Sequence, residues 1–169
     1  SYSHIAKQLG IRNAAIHYHF PSKANLGAAM IARYQKQFTR WVAYNELKHG
    51  KQYHTLFEAY VSISRSFTQQ QHSIFPLAVL ESNYTVFPEN MQVLTQSLSR
   101  NIHNWFTSLL NQGRIAGVFF FTGSANDKSL HISAALQGAS MMALVESSAV
   151  FETTVQQIKQ QLGLAHEAP

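Results

Sequence analysis

The side chains best suited to chemistry lie in a short stretch between residues 13 and 18. Asn13 carries both a hydrogen-bond donor and an acceptor, the combination that reads adenine in the major groove of DNA. Ala14 and Ala15 could touch the methyl groups of thymine. Tyr18 is a candidate for a contact to the DNA backbone. This chemistry requires a helix that can enter the groove.

The sequence predicts two short helices around one tight turn at the start of the chain. Ser1 can cap the first helix, and Gly10 stands where that helix must stop in a left-handed conformation. The second helix, about 13–19, ends before Phe20-Pro21, because the residue preceding a proline disfavours helical geometry. Ser22 can cap a third, long helix. This order is typical of a helix-turn-helix, whose second helix enters the major groove.

The same stretch resembles the DNA-binding signature of TetR-type transcriptional regulators. The matching residues are Ile5-Ala6, Gly10-Ile11 and Ile16-His17-Tyr18-His19-Phe20-Pro21-Ser22-Lys23. The resemblance implies an all-α fold, in which a helix-turn-helix DNA-binding head is followed by a helical-bundle ligand-binding and dimerisation body. In that family another helix precedes these two, so we expect a further N-terminal segment before residue 1.

The resemblance also implies roles for several head residues. Lys23 matches a family lysine at the start of the long helix, where its ammonium group, the exposed N–H groups and the helix dipole would meet a phosphate. His17 stands where the family usually has a DNA-contacting tyrosine, and it can donate to a phosphate or a purine. Arg12 replaces the family's capping serine. Either Asn13 caps the helix instead or the helix entrance is looser, and Arg12 could contact a phosphate or a guanine. The other candidate contacts open the first helix: Ser1, Tyr2 and Ser3.

The charge distribution places a field that attracts polyanions at the same end of the chain. Residues 1–51 hold eight basic groups and one acid, a net +7, whereas the remainder holds five basic and seven acidic groups, a net −2. The chain has no cysteine, which excludes disulfides and thiolate metal sites.

The sequence contains no recognisable pattern for catalysis or metal binding. His17 and His19 are two residues apart, so on a helix they face different sides. Acids are few, and no catalytic or phosphate-cradling motif appears. We therefore expect no enzyme activity, no metal and no cofactor. A signal peptide and a membrane-length apolar run are also missing, so we expect a cytoplasmic protein with no membrane partner.

Apolar residues at helical spacing occupy most of the remaining chain. The predicted helices are 23–48, 53–69, 76–83, 88–113, 127–148 and 150–162. The apolar run 118–121 is predicted to be a loop or helix end, because no partner strand is visible. We expect a domain boundary after residue 48. Residues 1–48 then form the DNA-binding head and connecting helix, and residues 49–169 form the effector-binding and dimerisation domain.

The predicted helix 127–148 is apolar on two faces and rich in small residues, so it should be buried on most sides. Together with helix 150–162 it is predicted to form a four-helix bundle with a second copy, as in the family. The family also holds an effector among its middle helices. The candidate pocket residues, which suit a mostly apolar ligand, are Tyr60, Phe67, Trp105 and Met141.

These observations favour a homodimeric transcriptional regulator. Its expected partners are a palindromic operator in double-stranded DNA and a small apolar or aromatic effector that releases the protein as a repressor. The alternative is a DNA-binding, chromosome-organising protein without an effector. A third interpretation, a ligand-binding or catalytic body whose head no longer binds DNA, is disfavoured by Lys23 and the +7 head.

Overall fold

The computed structural model of the chain describes residues 1–69 and 75–164. Within these residues all regular secondary structure is helical, as predicted. One turn of 3-10 helix covers Tyr84–Val86. The α-helices in chain order are α1 Tyr2–Leu9, α2 Asn13–His19, α3 Lys23–His49, α4 Tyr53–Gln69, α5 Pro76–Ser82, α6 Glu89–Ile115, α7 Ala125–Val145 and α8 Ser148–Gln161.

Helices α1 and α2 form a small head whose limits follow from local signals. The Ser1 hydroxyl accepts a hydrogen bond from the His4 N–H at 3.4 Å and caps α1. Gly10 ends α1 with φ 64°, the left-handed conformation that glycine adopts without steric cost. Ile16 of α2 is 6% exposed and packs against Tyr2 and Ala6. These three side chains are the buried core of the head.

Helix α3 belongs to the head at its start and to the body further along. The Ser22 hydroxyl accepts a hydrogen bond from the Asn25 N–H at 3.1 Å and caps the helix. Leu26, in the first turn, packs on the head core. Ile31, Phe38 and Trp41 pack on the core of the body. A helix of this length spans about 40 Å. It is therefore the physical link between two separate clusters of buried side chains.

Helix α6 runs through the middle of the body. Phe106 of α6 is fully buried, and its ring lies 6.3 Å from that of Phe57 on α4. Phe119 closes the same cluster from the loop after α6, with its ring 6.0 Å from Phe57. A bidentate ion pair joins Arg65 of α4 to Glu152 of α8 at 2.7 and 3.1 Å. Aromatic packing and this pair hold the body helices together.

Helix α6 continues past Gly113, the predicted end, to Ile115. The reason is a tertiary contact: Gly113 lies inside the helix, where it provides the space for another side chain to pack. The ring of Phe119 packs where a side chain at residue 113 would lie. The N–H groups of Val118 and Phe119 both donate to the Gly113 carbonyl, at 2.8 and 3.2 Å. The run 118–121 is accordingly the packed loop that the sequence predicts.

Helix α7 is covered on only one of its two apolar faces. Ile132, Leu136 and Ala139 are buried against the body. The opposite face is exposed within the single chain, so the prediction that this helix is buried on most sides requires a second molecule. Both α7 and α8 begin about half a turn earlier than predicted.

The Gly113 contact predicts a specific destabilisation. A Cβ atom at residue 113 would lie 2.3 Å from two ring atoms of the fully buried Phe119. We expect Gly113→Ala to lower the free energy of unfolding by about 1–3 kcal/mol in urea denaturation, because a ring held on all sides cannot move aside.

The matched control is Gly27→Ala in α3. Its Cβ would meet only the flexible end of Met91, at 2.6 Å from Cε. The helix propensity of alanine offsets that contact, and we expect a change of less than about 1 kcal/mol. Equal losses in the two variants would contradict the role given to Phe119.

Candidate functional site

The outer surface of α2 presents the side chains that the sequence marks as readers of bases. Asn13, Ala14, Ala15 and His17 are exposed, and Tyr18 is the most exposed of the group at 84%. Ile16 alone points inward, to the head core. One face of this short helix therefore anchors it, while the rest of its surface is open to a partner.

The entrance to α2 resolves the alternatives left open for Arg12 and Asn13. Arg12 occupies the N-cap position with extended backbone, and its side chain makes no capping hydrogen bond. Asn13 is the first helical residue, so it does not cap the helix either. The entrance is the looser of the two expected forms. Both side chains are exposed at the helix terminus.

Tyr2 has a structural position in the head. Its side chain is 6% exposed, and its hydroxyl donates to the Phe20 carbonyl at 2.8 Å. Its ring also meets the ring of His17 edge-on, with centroids 4.6 Å apart. The hydroxyl proton is thus committed to holding the end of α2, and the expected contact from Tyr2 to DNA does not fit this position. Ser1 and Ser3 remain exposed, with their hydroxyl oxygens 2.6 Å apart.

Lys23 is the first residue of α3 and follows α2 by only three intervening residues. Its side chain is exposed, and no hydrogen bond or ion pair ties it to another described residue. The N–H groups of the first helical turn lie beside it, and the helix dipole favours an anion at this end. Lys23 and α2 therefore stand close together along the chain, both facing solvent.

The body contains an apolar cavity of about 220 Å³ between α3, α4, α5 and α6. Two of the predicted pocket residues, Tyr60 and Phe67, line it. Phe38, Trp41 and Phe75 line it as well, and sequence reasoning missed them. Phe38 and Trp41 have the helical spacing of core residues and Phe75 directly precedes α5, so no signal along the chain separates a side chain that fills the core from one that borders a cavity.

The other two predicted pocket residues lie elsewhere. Met141 is 50% exposed on the outward face of α7 and does not line this cavity. Trp105 packs behind the cavity, with its ring 5.2 Å from Trp41 and 5.6 Å from Tyr60. Its indole N–H donates to Glu46 at 3.0 Å. Trp105 supports the cavity wall without lining it.

The described part of the chain has neither a metal-binding cluster nor a membrane-spanning helix. No three His, Asp or Glu side chains in it are grouped so as to hold a metal ion. None of its helices is long and apolar enough to cross a membrane.

The chain resembles known proteins in its three-dimensional structure. No protein-family model matches it, and no curated protein matches it. Solved structures do. A TetR-family transcriptional regulator from Agrobacterium tumefaciens superposes with a TM-score of 0.86 at 27% identity, covering 96% of this chain and 86% of that one.

Two further structures match over the same shares of both chains. A TetR transcriptional regulator from Legionella pneumophila has a TM-score of 0.81 at 19% identity, and reduced NemR from E. coli has 0.76 at 18%. At these identities the likeness concerns the fold alone.

The fold and the exposed α2 define the architecture of a DNA-binding transcription regulator, a helix-turn-helix head on an all-helical body. The structural neighbours are more specific, because they are TetR-family transcriptional regulators. The resemblance first seen in the head is confirmed over nearly the whole chain.

Proposed function

We propose that the chain acts as a homodimeric repressor that binds a palindromic operator and is released by a small, mostly apolar ligand. The observation that carries this proposal is the exposed surface of α2, with Asn13 and Lys23 at its borders. Arg12, Ala14, Ala15, His17, Tyr18, Ser1 and Ser3 complete the proposed contact surface. The net charge of +7 in residues 1–51 supports it, because phosphate neutralisation supplies a large share of protein–DNA affinity.

The exposed face of α7 supports dimerisation. Leu130, Ala134, Gly138, Met141 and Val145 follow one another at helical spacing, and all five are exposed. A methyl group added at Gly138 would meet nothing within 4 Å, so another helix has room to approach. A contiguous apolar stripe of this kind is typical of an interface. In our proposal it pairs, together with α8, with the same face of a second copy.

The cavity gives a route from ligand to DNA. Tyr34, Phe38 and Trp41 belong to α3, the helix that begins at Lys23, and all three line the cavity. A ligand that contacts them can favour one orientation of α3, and with it one spacing of the two heads on DNA. This mechanism requires the ligand to bind the free dimer more tightly than the DNA-bound dimer.

The function as a whole is tested by selecting fragmented genomic DNA of the source organism with the full-length protein and sequencing the retained fragments. We expect a few fragments that share an inverted repeat. Many fragments without a common motif would favour the chromosome-organising alternative, and retention of nothing at low salt would contradict DNA binding.

Two head variants should fail in different ways. Lys23→Ala should weaken binding to specific and random DNA alike and reduce the slope of log K against log salt by about 0.9, because one phosphate contact is lost. Asn13→Ala should relax the preference at one base pair by about 1–3 kcal/mol. Fluorescence anisotropy at several salt concentrations measures both effects.

The control for Lys23→Ala is Lys36→Ala, which removes the same charge from an exposed position further along α3. It should leave the affinity and the salt slope close to those of the parent protein. Equal losses by Lys23→Ala and Asn13→Ala on both kinds of DNA would refute this division of roles.

If the exposed face of α7 is the dimer interface, a charge placed on it should reduce the molecular mass in solution from that of a dimer to that of a monomer. We expect the parent protein to sediment as a dimer and Met141→Glu to sediment as a monomer, because an unpaired carboxylate cannot be buried cheaply at an apolar interface. Val93→Glu is the control, since Val93 is similarly exposed, at 59%, but lies on α6. A monomeric parent protein, or dissociation by both substitutions, would contradict the proposed face.

A further inference from the structure

A second cavity, of about 200 Å³, lies beside the apolar one and differs from it in chemistry. It is bounded by α4, α5, α6 and α7. Tyr60, Phe75, Leu77 and Ile102 line both cavities, so the two are directly adjacent. The far side of the second cavity is polar, and Glu81 of α5 contributes a carboxylate to it.

The carboxylate of Glu81 is held in place by neutral groups. One oxygen accepts a hydrogen bond from the Ser99 hydroxyl of α6 at 2.6 Å. The other accepts from the Gln137 amide of α7 at 3.0 Å. A carboxylate has about four acceptor sites, so these two bonds orient the group and leave acceptor capacity unused. None of the ion pairs among the described residues involves Glu81.

Glu81 sets the electrostatic character of this cavity. Among the residues that the structure describes, no lysine or arginine lines it. The ring nitrogens of His103 are both engaged, with Ser129 at 3.2 Å and Asn126 at 2.9 Å. Burial raises the pKa of Tyr60 to about 12, a hydrogen bond with Ser133 opposes that shift, and the negative charge of Glu81 adds a smaller increase. The cavity therefore favours a cation and disfavours an anion.

The first, apolar cavity determines what kind of cation can bind. Aromatic side chains surround it, and two of them, Tyr60 and Phe75, also line the cavity that holds the carboxylate. Aromatic faces attract ammonium groups as well as apolar surface. A ligand that uses both cavities must carry an apolar body and a positively charged head.

We propose that the ligand of the body is an amphiphilic amine, whose apolar part occupies the first cavity while its ammonium group donates to Glu81 in the second. This inference rests on the proposed function only in taking the two cavities as the regulatory ligand site. It adds the chemical class of the ligand and the residue that selects it.

The test compares three probes of similar length on the full chain: phenylbutylamine, phenylbutanol and phenylbutyrate. Isothermal titration calorimetry should show that the amine binds at least about tenfold more tightly than the alcohol, because its hydrogen bond to the carboxylate is charge-assisted. The anion should bind most weakly of the three. An alcohol or anion that binds as tightly as the amine would overturn the proposal, and so would the absence of binding by all three.

The variant Glu81→Gln keeps the shape of the side chain and removes its charge. We expect the dissociation constant of the amine to rise about tenfold and that of the alcohol to stay within about threefold, which removes the preference. The matched control is Glu89→Gln, which removes the same charge from an exposed position at the start of α6. An amine preference that survives in Glu81→Gln would overturn the role of Glu81. The comparison of probes on the parent protein needs no variant and stands even if Glu81→Gln does not fold.

Operator selection with the same preparation separates this inference from the proposed function. A protein that selects an inverted repeat but binds the three probes equally would retain the proposed function and lose the amine site. A protein that prefers the amine but selects no DNA would retain the amine site and lose the regulatory function.

Discussion

The rest of the structure depends on the packing of α3 against the body. Trp41 of α3 and Trp105 of α6 meet edge-on at 5.2 Å, and Phe38 packs against both. Glu46, one turn beyond, accepts the hydrogen bond of the Trp105 indole at 3.0 Å. Large aromatic side chains bury much apolar area and have few rotamers, so this contact fixes both the position and the rotation of the helix. The head core and the body core are separate clusters, and α3 is what joins them.

Different segments of α3 carry different kinds of side chain. Its first residue, Lys23, faces solvent beside α2, whereas Tyr34, Phe38 and Trp41 border the apolar cavity. A change at the cavity and a change at the head therefore act on the same rigid object. The arrangement needs no long chain of intermediate contacts, since the backbone hydrogen bonds of the helix connect the two ends.

The features that sequence reasoning predicted well are governed by local interactions. Ser1, Gly10 and Ser22 limit the first helices through hydrogen bonds and backbone conformation within a few residues. The features that the sequence did not predict depend on tertiary contacts. The end of α6 depends on Phe119 packing at Gly113, Tyr2 is turned inward by a bond to Phe20, and Met141 lies on the face of α7 that the body leaves open. Glu81 could not be selected beforehand, because its partners Ser99 and Gln137 come from two other helices.

The distance between this aromatic packing and the head determines how precisely the body must hold the orientation of α3. Lys23 stands about 27 Å along the helix axis from Trp41, given a rise of 1.5 Å per residue. A tilt of about 5° at the tryptophan contact would then move Lys23 by roughly 2.4 Å, which is enough to break a hydrogen bond. The packing of Phe38, Trp41 and Trp105 thus controls the tilt of α3 relative to the body. The range of tilt angles that this packing allows limits how accurately the head is positioned.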